Sequence, residues 1–150
     1  MVFAHVTTEP IDAAEVLAQV GADEDGAVLL FLGVVRSHAE GRAVDGMRYD
    51  AYEAMAGSVL AEIARDASER HGTDRIAVVH RVGDLKLGET SVAIAVSTPH
   101  RAEAYAANRE IIEEIKKRLP VWKKEHYVDG ASAWVGGVVP PVGDRAEGTS

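Results

Sequence analysis

Apolar positions along this chain switch between two periods, and the switches mark its elements. Val2 to Thr7 can form a short first strand, after which Thr8 and Pro10 offer a helix start for Ile11 to Val20. Gly21 and Gly26 bracket a polar, acidic turn. Ala27 to Arg36 is then a continuous apolar run, the form of a strand buried on both faces, closed by Arg36-Ser37-His38. Met47 to Tyr52 alternates apolar and polar and predicts a strand with one buried face. From Glu53 to His71 the residues Ala56, Val59, Leu60, Ile63 and Ala67 fall at helical spacing, closed by Gly72.

Arg75 to Val82 and Thr90 to Val96 predict two further strands. The turn between them, Gly83 to Thr90, has the glycine spacing of a phosphate-binding loop, but Glu89 stands where the lysine must be, so it reads as a plain turn. Ser97 to Arg101 opens a long third helix, with Thr98 the expected N-cap and Pro99 the first helical residue. Its apolar line is Tyr105, Ile112, Ile115 and Leu119, and Pro120 ends it at about Leu119. Val121 to Val128, Asp129-Gly130 and Ala131 to Val135 predict a hairpin with a tight type I′ turn. The order β-α-β-β-α-β-β-α-β-β indicates one α+β domain over residues 1–137 with a mixed, largely antiparallel sheet, and residues 138–150, with Pro140 and Pro141, are expected to be a disordered tail.

Composition narrows what such a domain does. A net charge of -8 over 150 residues and a pI near 5.2 exclude a general nucleic-acid binder, which needs a broad basic face. No apolar run approaches the ~18 residues of a membrane span, and the N-terminus lacks signal-peptide character, so cytoplasm is the expected compartment. The chain has no cysteine, which removes thiolate zinc sites, a cysteine nucleophile and any persulfide relay through this polypeptide. If the chemistry involves sulfur, the sulfur arrives on something else. The six histidines show no His-x-His or His-x-x-x-His pairing, so no metal or other cofactor is expected. His80, after an apolar run, reads as a hydrogen-bonded strand-end residue.

Candidate chemistry is cationic. The ten residues from Ile115 to Lys124 hold five cations and no acid, a local positive island that suits a small anionic ligand. Lys116, Lys117 and Arg118 complement the negative end of the helix dipole in one reading. In the other, Lys116, four residues after Ile112, sits at the edge of the buried face as a partly desolvated lysine usable as nucleophile or acid/base. Arg36 is either a surface terminator or a ligand contact. His100 and Arg101 oppose the dipole preference at the start of the third helix, where free N–H groups and Arg101 make a phosphate or carboxylate cradle, unless His100 caps and Arg101 points to solvent.

The runs Phe31 to His38, Tyr49 to Ala56, His80 to Leu85, Ser97 to Arg101 and Ile115 to Glu125, in this order and spacing, together resemble the large, catalytic subunit of molybdopterin synthase, the MoaE family. The resemblance covers residues from about 26 to 137. It implies an α/β hammerhead fold and an enzyme that installs two sulfurs in cyclic pyranopterin monophosphate as the dithiolene of molybdopterin. The implied sulfur donor is a small ubiquitin-fold partner whose C-terminal Gly-Gly ends as a thiocarboxylate, with a homodimer carrying one small subunit at each end. Gly136-Gly137 is internal here, so the chain does not look like the carrier.

By resemblance, Lys116 and Lys123 are the active-site lysines. Lys116 meets the partner's tail, and Lys123 binds substrate and assists proton transfer or charge stabilisation. Val34, Val35, Arg36, His100, Arg101, Lys124 and Glu125 match substrate-contacting segments, with Lys124 standing where relatives often carry arginine. The alternative is a non-catalytic module that binds a ubiquitin-fold partner or a phosphorylated metabolite through the same cations. A third option is an acyl-transfer or Schiff-base enzyme using Lys116 on an unrelated substrate.

Overall fold

The computed structural model describes residues 1–39 and 41–135; the expected tail and the Gly136-Gly137 pair lie outside them. The chain runs β1 (Val2–Thr7), α1 (Ala13–Leu17), β2 (Ala27–Val34), β3 (His38–Ala39), β4 (Arg42–Ala51), α2 (Glu53–His71), β5 (Ile76–Arg81), β6 (Gly83–Lys86), β7 (Thr90–Thr98), α3 (Arg101–Arg118), β8 (Val121–Tyr127) and β9 (Ser132–Trp134). One sheet has the order β1-β5-β7-β2, parallel at β1–β5 and antiparallel elsewhere. The second has the order β3-β4-β8-β9, with β6 also on β4. This is the mixed, largely antiparallel α+β arrangement the sequence predicts, with β3 and the plain turn's β6 as additions.

Strand alternation divides the first sheet's side chains between two cores. Ile76, Val78, Val92, Ile94 and Val96 face α2 and α3 and pack with Leu60, Ile63, Ile111 and Ile115. Ala77, Val79, Ala93 and Ala95 face the other way, onto Val16 of α1. The helix from Glu53 to His71 forms as expected, ended by Gly72 at φ 69°, a left-handed cap that glycine adopts without steric cost.

Four expectations are corrected. The run from Ala27 is not buried on both faces: β2 is an edge strand, and Val28, Phe31, Leu32 and Val34 are exposed. The first helix is one short turn-rich segment, Ala13–Leu17, capped by Asp12. Thr98 is not the N-cap of the third helix but the last, buried residue of β7, its hydroxyl donating to the His100 carbonyl; His100 is the N-cap. Finally, Gly130 (φ 92°) donates to the Tyr127 carbonyl and Tyr127 to that of Ala131, the pattern of a longer, glycine-bulged loop in place of a two-residue type I′ turn.

α3 buries only part of the expected line: Ile115 and Leu119 are buried and Ile112 partly so, but Tyr105 is 59% exposed, and Ala104, Ala107, Asn108 and Ile111 complete the inward face. Small alanines let the helix approach the sheet, and Asn108 donates to the carbonyls of Leu29 (3.3 Å) and Ile94 (3.1 Å). At the C-terminal end Arg118 reaches Glu62 at 2.6 Å and Asp66 at 3.4 Å on α2. α3 is therefore held at its middle and at its C-terminus, which fixes Lys116 on its last turn. Among the described residues no helix is long and apolar enough to cross a membrane.

Candidate active site

Pro120 cannot continue α3, and Leu119 turns to an extended backbone (ψ 126°) that leads directly into β8. Along β8 successive side chains alternate. Lys123 lies opposite Tyr49 and Glu125 opposite Met47, while Lys124 lies opposite Arg48. Lys123, Glu125, Tyr49 and Met47 line one cavity of about 580 Å³ together with Lys116 of α3. The end of β2 closes it: the register shifts at Gly33/Val34, and Val34, Val35 and Arg36 follow along the wall. Backbone bonds from Val35 to Glu89 (3.0 Å) and from Gly88 to Val35 (2.8 Å) pin that segment.

Behind the two lysines lies an inner chamber of about 250 Å³, which shares Tyr49, Ser91, Lys116 and Lys123 with the outer cavity and adds His80. Its remaining wall is apolar, from Ile115, Leu119 and Val121. His80 is 5% exposed, and its Nδ1 lies 2.9 Å from the Arg81 carbonyl oxygen, so Nδ1–H donates there. Burial lowers its pKa to about 4, with Lys123 and Lys116 adding to the fall. Tyr49 packs edge-on to that ring at 5.4 Å. Burial raises its hydroxyl pKa while its hydrogen bond to Ser91 partly opposes the rise. Ser91 donates to the Gly33 carbonyl at 3.2 Å, linking Tyr49 to the irregularity that aims Val34 to Arg36.

Lys123 is half-buried. Burial lowers its pKa first, and the charges of Lys116 and Arg36 lower it further, against the opposing pull of Glu125. Glu125 accepts a hydrogen bond from the Tyr127 hydroxyl at 2.8 Å. The desolvated lysine of the site is thus Lys123. Lys116, which one of the two sequence readings made partly desolvated, is exposed, although it follows buried Ile115 and lines both cavities.

Of the residues singled out in the sequence, Val34, Val35, Arg36, Lys116, Lys123 and Glu125 meet in one cavity. Lys124 does not line it: alternation turns its side chain to the opposite face, where Nζ stands 5.4 Å from the Trp134 ring centroid. His100 and Arg101 are exposed at the start of α3, fifteen residues from Lys116 and so roughly 22 Å away along the helix axis. Tyr49 and Ser91 were not anticipated, although Tyr49 follows Met47 by two on an alternating strand and so shares its face. Among the described residues no group of three or more His, Asp or Glu side chains could hold a metal ion.

Residues 6–118 match the family model described as MoaE protein. A molybdopterin synthase catalytic subunit from Halalkalibacterium halodurans is 43% identical over 131 residues, covering 87% of this chain and 83% of that protein. One from Bacillus subtilis is 41% identical over 132 residues, covering 88% and 83%. The crystal structure of molybdopterin synthase from Staphylococcus aureus is similar with a TM-score of 0.81 at 38% identity, covering 86% of this chain and 93% of that one.

Proposed function

The chain belongs to the MoaE protein family, and from that premise we propose that it is the catalytic, sulfur-inserting subunit of a molybdopterin synthase. It takes two sulfurs from the thiocarboxylate of a small ubiquitin-fold partner and places them on cyclic pyranopterin monophosphate as a dithiolene. The observation that carries this reading is the convergence of Lys116, Lys123 and Arg36, from three separate segments, on one cavity of a cysteine-free chain. Sulfur leaving an acyl group passes through anionic intermediates, and fixed cations in a partly dry cavity stabilise such charge as it develops.

In this reading exposed Lys116 meets the partner's incoming tail, and half-buried Lys123 faces substrate. Arg36 and the backbone of Val34 and Val35 bind the phosphorylated ligand, and Glu125 orients Lys123. Lys124 contributes through the opposite sheet face. His100 and Arg101 are too far along α3 to reach the pocket of their own chain, so their phosphate cradle serves the pocket of a second copy, in a homodimer that carries two small subunits. The enzyme works in the cytoplasm, and residues 1–137 form its functional unit.

The test is incubation of the chain with thiocarboxylated small subunit and cyclic pyranopterin monophosphate, with dithiolene product measured after oxidation to a fluorescent pterin. Product that requires all three components supports the reading. A folded chain that binds the partner and yields no product refutes it in favour of a binding module.

A further inference from the structure

The inner chamber sets three groups that the sulfur-transfer reading leaves without a role against Lys123, to which that reading gives contact with substrate. Lys123 enters the chamber from β8, His80 from β5, and Tyr49 and Ser91 from β4 and β7, against the apolar wall of Ile115, Leu119 and Val121. A lysine amine becomes nucleophilic when apolar surroundings and a neighbouring cation disfavour its ammonium form. Lys123 has both: it is half-buried, and Lys116 and Arg36 act on it from α3 and from the end of β2. Glu125, on its own strand, is the one carboxylate among the described residues that opposes them. His80 donates Nδ1–H to the Arg81 carbonyl, which leaves Nε2 with a free lone pair on a ring lining the chamber. A neutral imidazole there accepts an N–H from an amine without adding a cation to the site.

We propose that Lys123 is a carbonyl-reactive amine, and that the pocket takes a phosphorylated aldehyde or ketone whose carbonyl carbon enters the inner chamber while Arg36 holds the phosphate in the outer cavity. The Nζ lone pair of neutral Lys123 adds to the carbonyl carbon. The C=O π pair moves to oxygen, which takes up the proton that nitrogen gives up, and a carbinolamine results. The C–O bonding pair then leaves on oxygen, which takes a proton from Tyr49 and departs as water, while the nitrogen lone pair forms the C=N bond to Lys123 and the proton left on nitrogen returns to the Tyr49 oxygen. Tyr49, kept protonated by burial, is a hydroxyl donor for the oxygen as it leaves. The adduct anchors the ligand carbon beside Lys116, where a partner's tail arrives. This inference rests on the reading of the cavity as a substrate site, but its chemistry needs no partner and no sulfur.

The chain holds five lysines, Lys86, Lys116, Lys117, Lys123 and Lys124, so labelling can be resolved residue by residue. The full-length chain is treated with glyceraldehyde 3-phosphate and cyanoborohydride at neutral pH, and the reduced adducts are mapped by mass spectrometry over time. The expected result is a first, saturable adduct on Lys123, ahead of the more exposed Lys116 and Lys117. Inorganic phosphate slows it, and unphosphorylated glyceraldehyde gives no saturation. Lys123→Arg, which keeps the charge, loses that adduct and leaves the slow labelling of the other four lysines. Labelling spread over all five at similar rates, or led by Lys116, overturns the proposal even in the wild-type chain, where no variant has to fold. Because sulfur transfer is read by a separate product, either inference can fail while the other stands.

Discussion

Asn108 is the buried polar residue that docks α3, and with it Lys116, onto the first sheet. It is 4% exposed, and its amide nitrogen donates to Leu29 and Ile94 on the two adjacent strands. Each neutral hydrogen bond contributes about 0.5–1.5 kcal/mol net, so Asn108→Ala loses about 1–3 kcal/mol. For a chain of this length that lowers Tm by about 3–10 °C. Asn108→Asp replaces the donor by a carboxylate oxygen facing two carbonyl oxygens. A buried, unpaired charge costs several kcal/mol more, so Asp is worse than Ala at neutral pH. Burial raises the pKa of that new carboxyl, and on protonation it donates to one carbonyl, so the gap between the two variants narrows toward pH 5. Urea unfolding of both variants at the two pH values reads the difference. An Asp variant as stable as the Ala variant at neutral pH would refute the placement of the Asn108 amide between the strands.

Other outcomes follow from the same geometry. The unfolded chain protonates His80 below about 6.5, whereas the folded chain resists until about 4. Stability therefore falls as pH drops through that window, by on the order of 3 kcal/mol at most, and His80→Gln flattens that limb of a denaturation series. If His100 and Arg101 serve the pocket of a second copy, then Arg101→Ala and Lys116→Ala chains, each inactive alone, regain activity when unfolded together and refolded. Random pairing makes about a quarter of all sites intact; no recovery in mixed dimers would refute the contribution across copies, and activity of Arg101→Ala alone would place Arg101 outside the site.

How much of this was legible in the sequence depended on whether local spacing carried the signal. α2 shows clear 3.6-residue spacing and a glycine stop, so its bounds could be read directly. Pro120 likewise placed the end of α3 to within a residue. β2 misled because an apolar run looks the same in a central strand and at a sheet edge, and only pairing distinguishes them. α3 was legible only toward its C-terminal end, where Ile115 and Leu119 are buried; in its first half alanine and asparagine face inward while Tyr105 points out, so hydrophobicity alone misplaced the stripe there. At the site, Lys116, Lys123 and Arg36, cations from three segments far apart in the sequence, line one cavity. Alternation along β8 already separates Lys123 from Lys124, but their shared charge drew both into one expected site. Tyr49, Ser91 and His80 come together only through pairing between β4 and β8 and between β5 and β7, contacts that no local motif encodes.

The proposed sulfur transfer gives Lys116 a chemical role beyond its charge. A single-turnover assay with thiocarboxylated partner and cyclic pyranopterin monophosphate isolates that role by comparing wild type with Lys116→Ala and Lys116→Arg. Arginine keeps the charge but neither the compact ammonium nor a proton it can give up. Because Lys116 is exposed, both variants should fold, which partner binding and thermal unfolding verify. Dithiolene product is expected from wild type and is lost, by roughly 100-fold or more, in both variants. Product from Lys116→Arg at the wild-type rate would contradict that role, reducing Lys116 to a charge that holds the partner's tail.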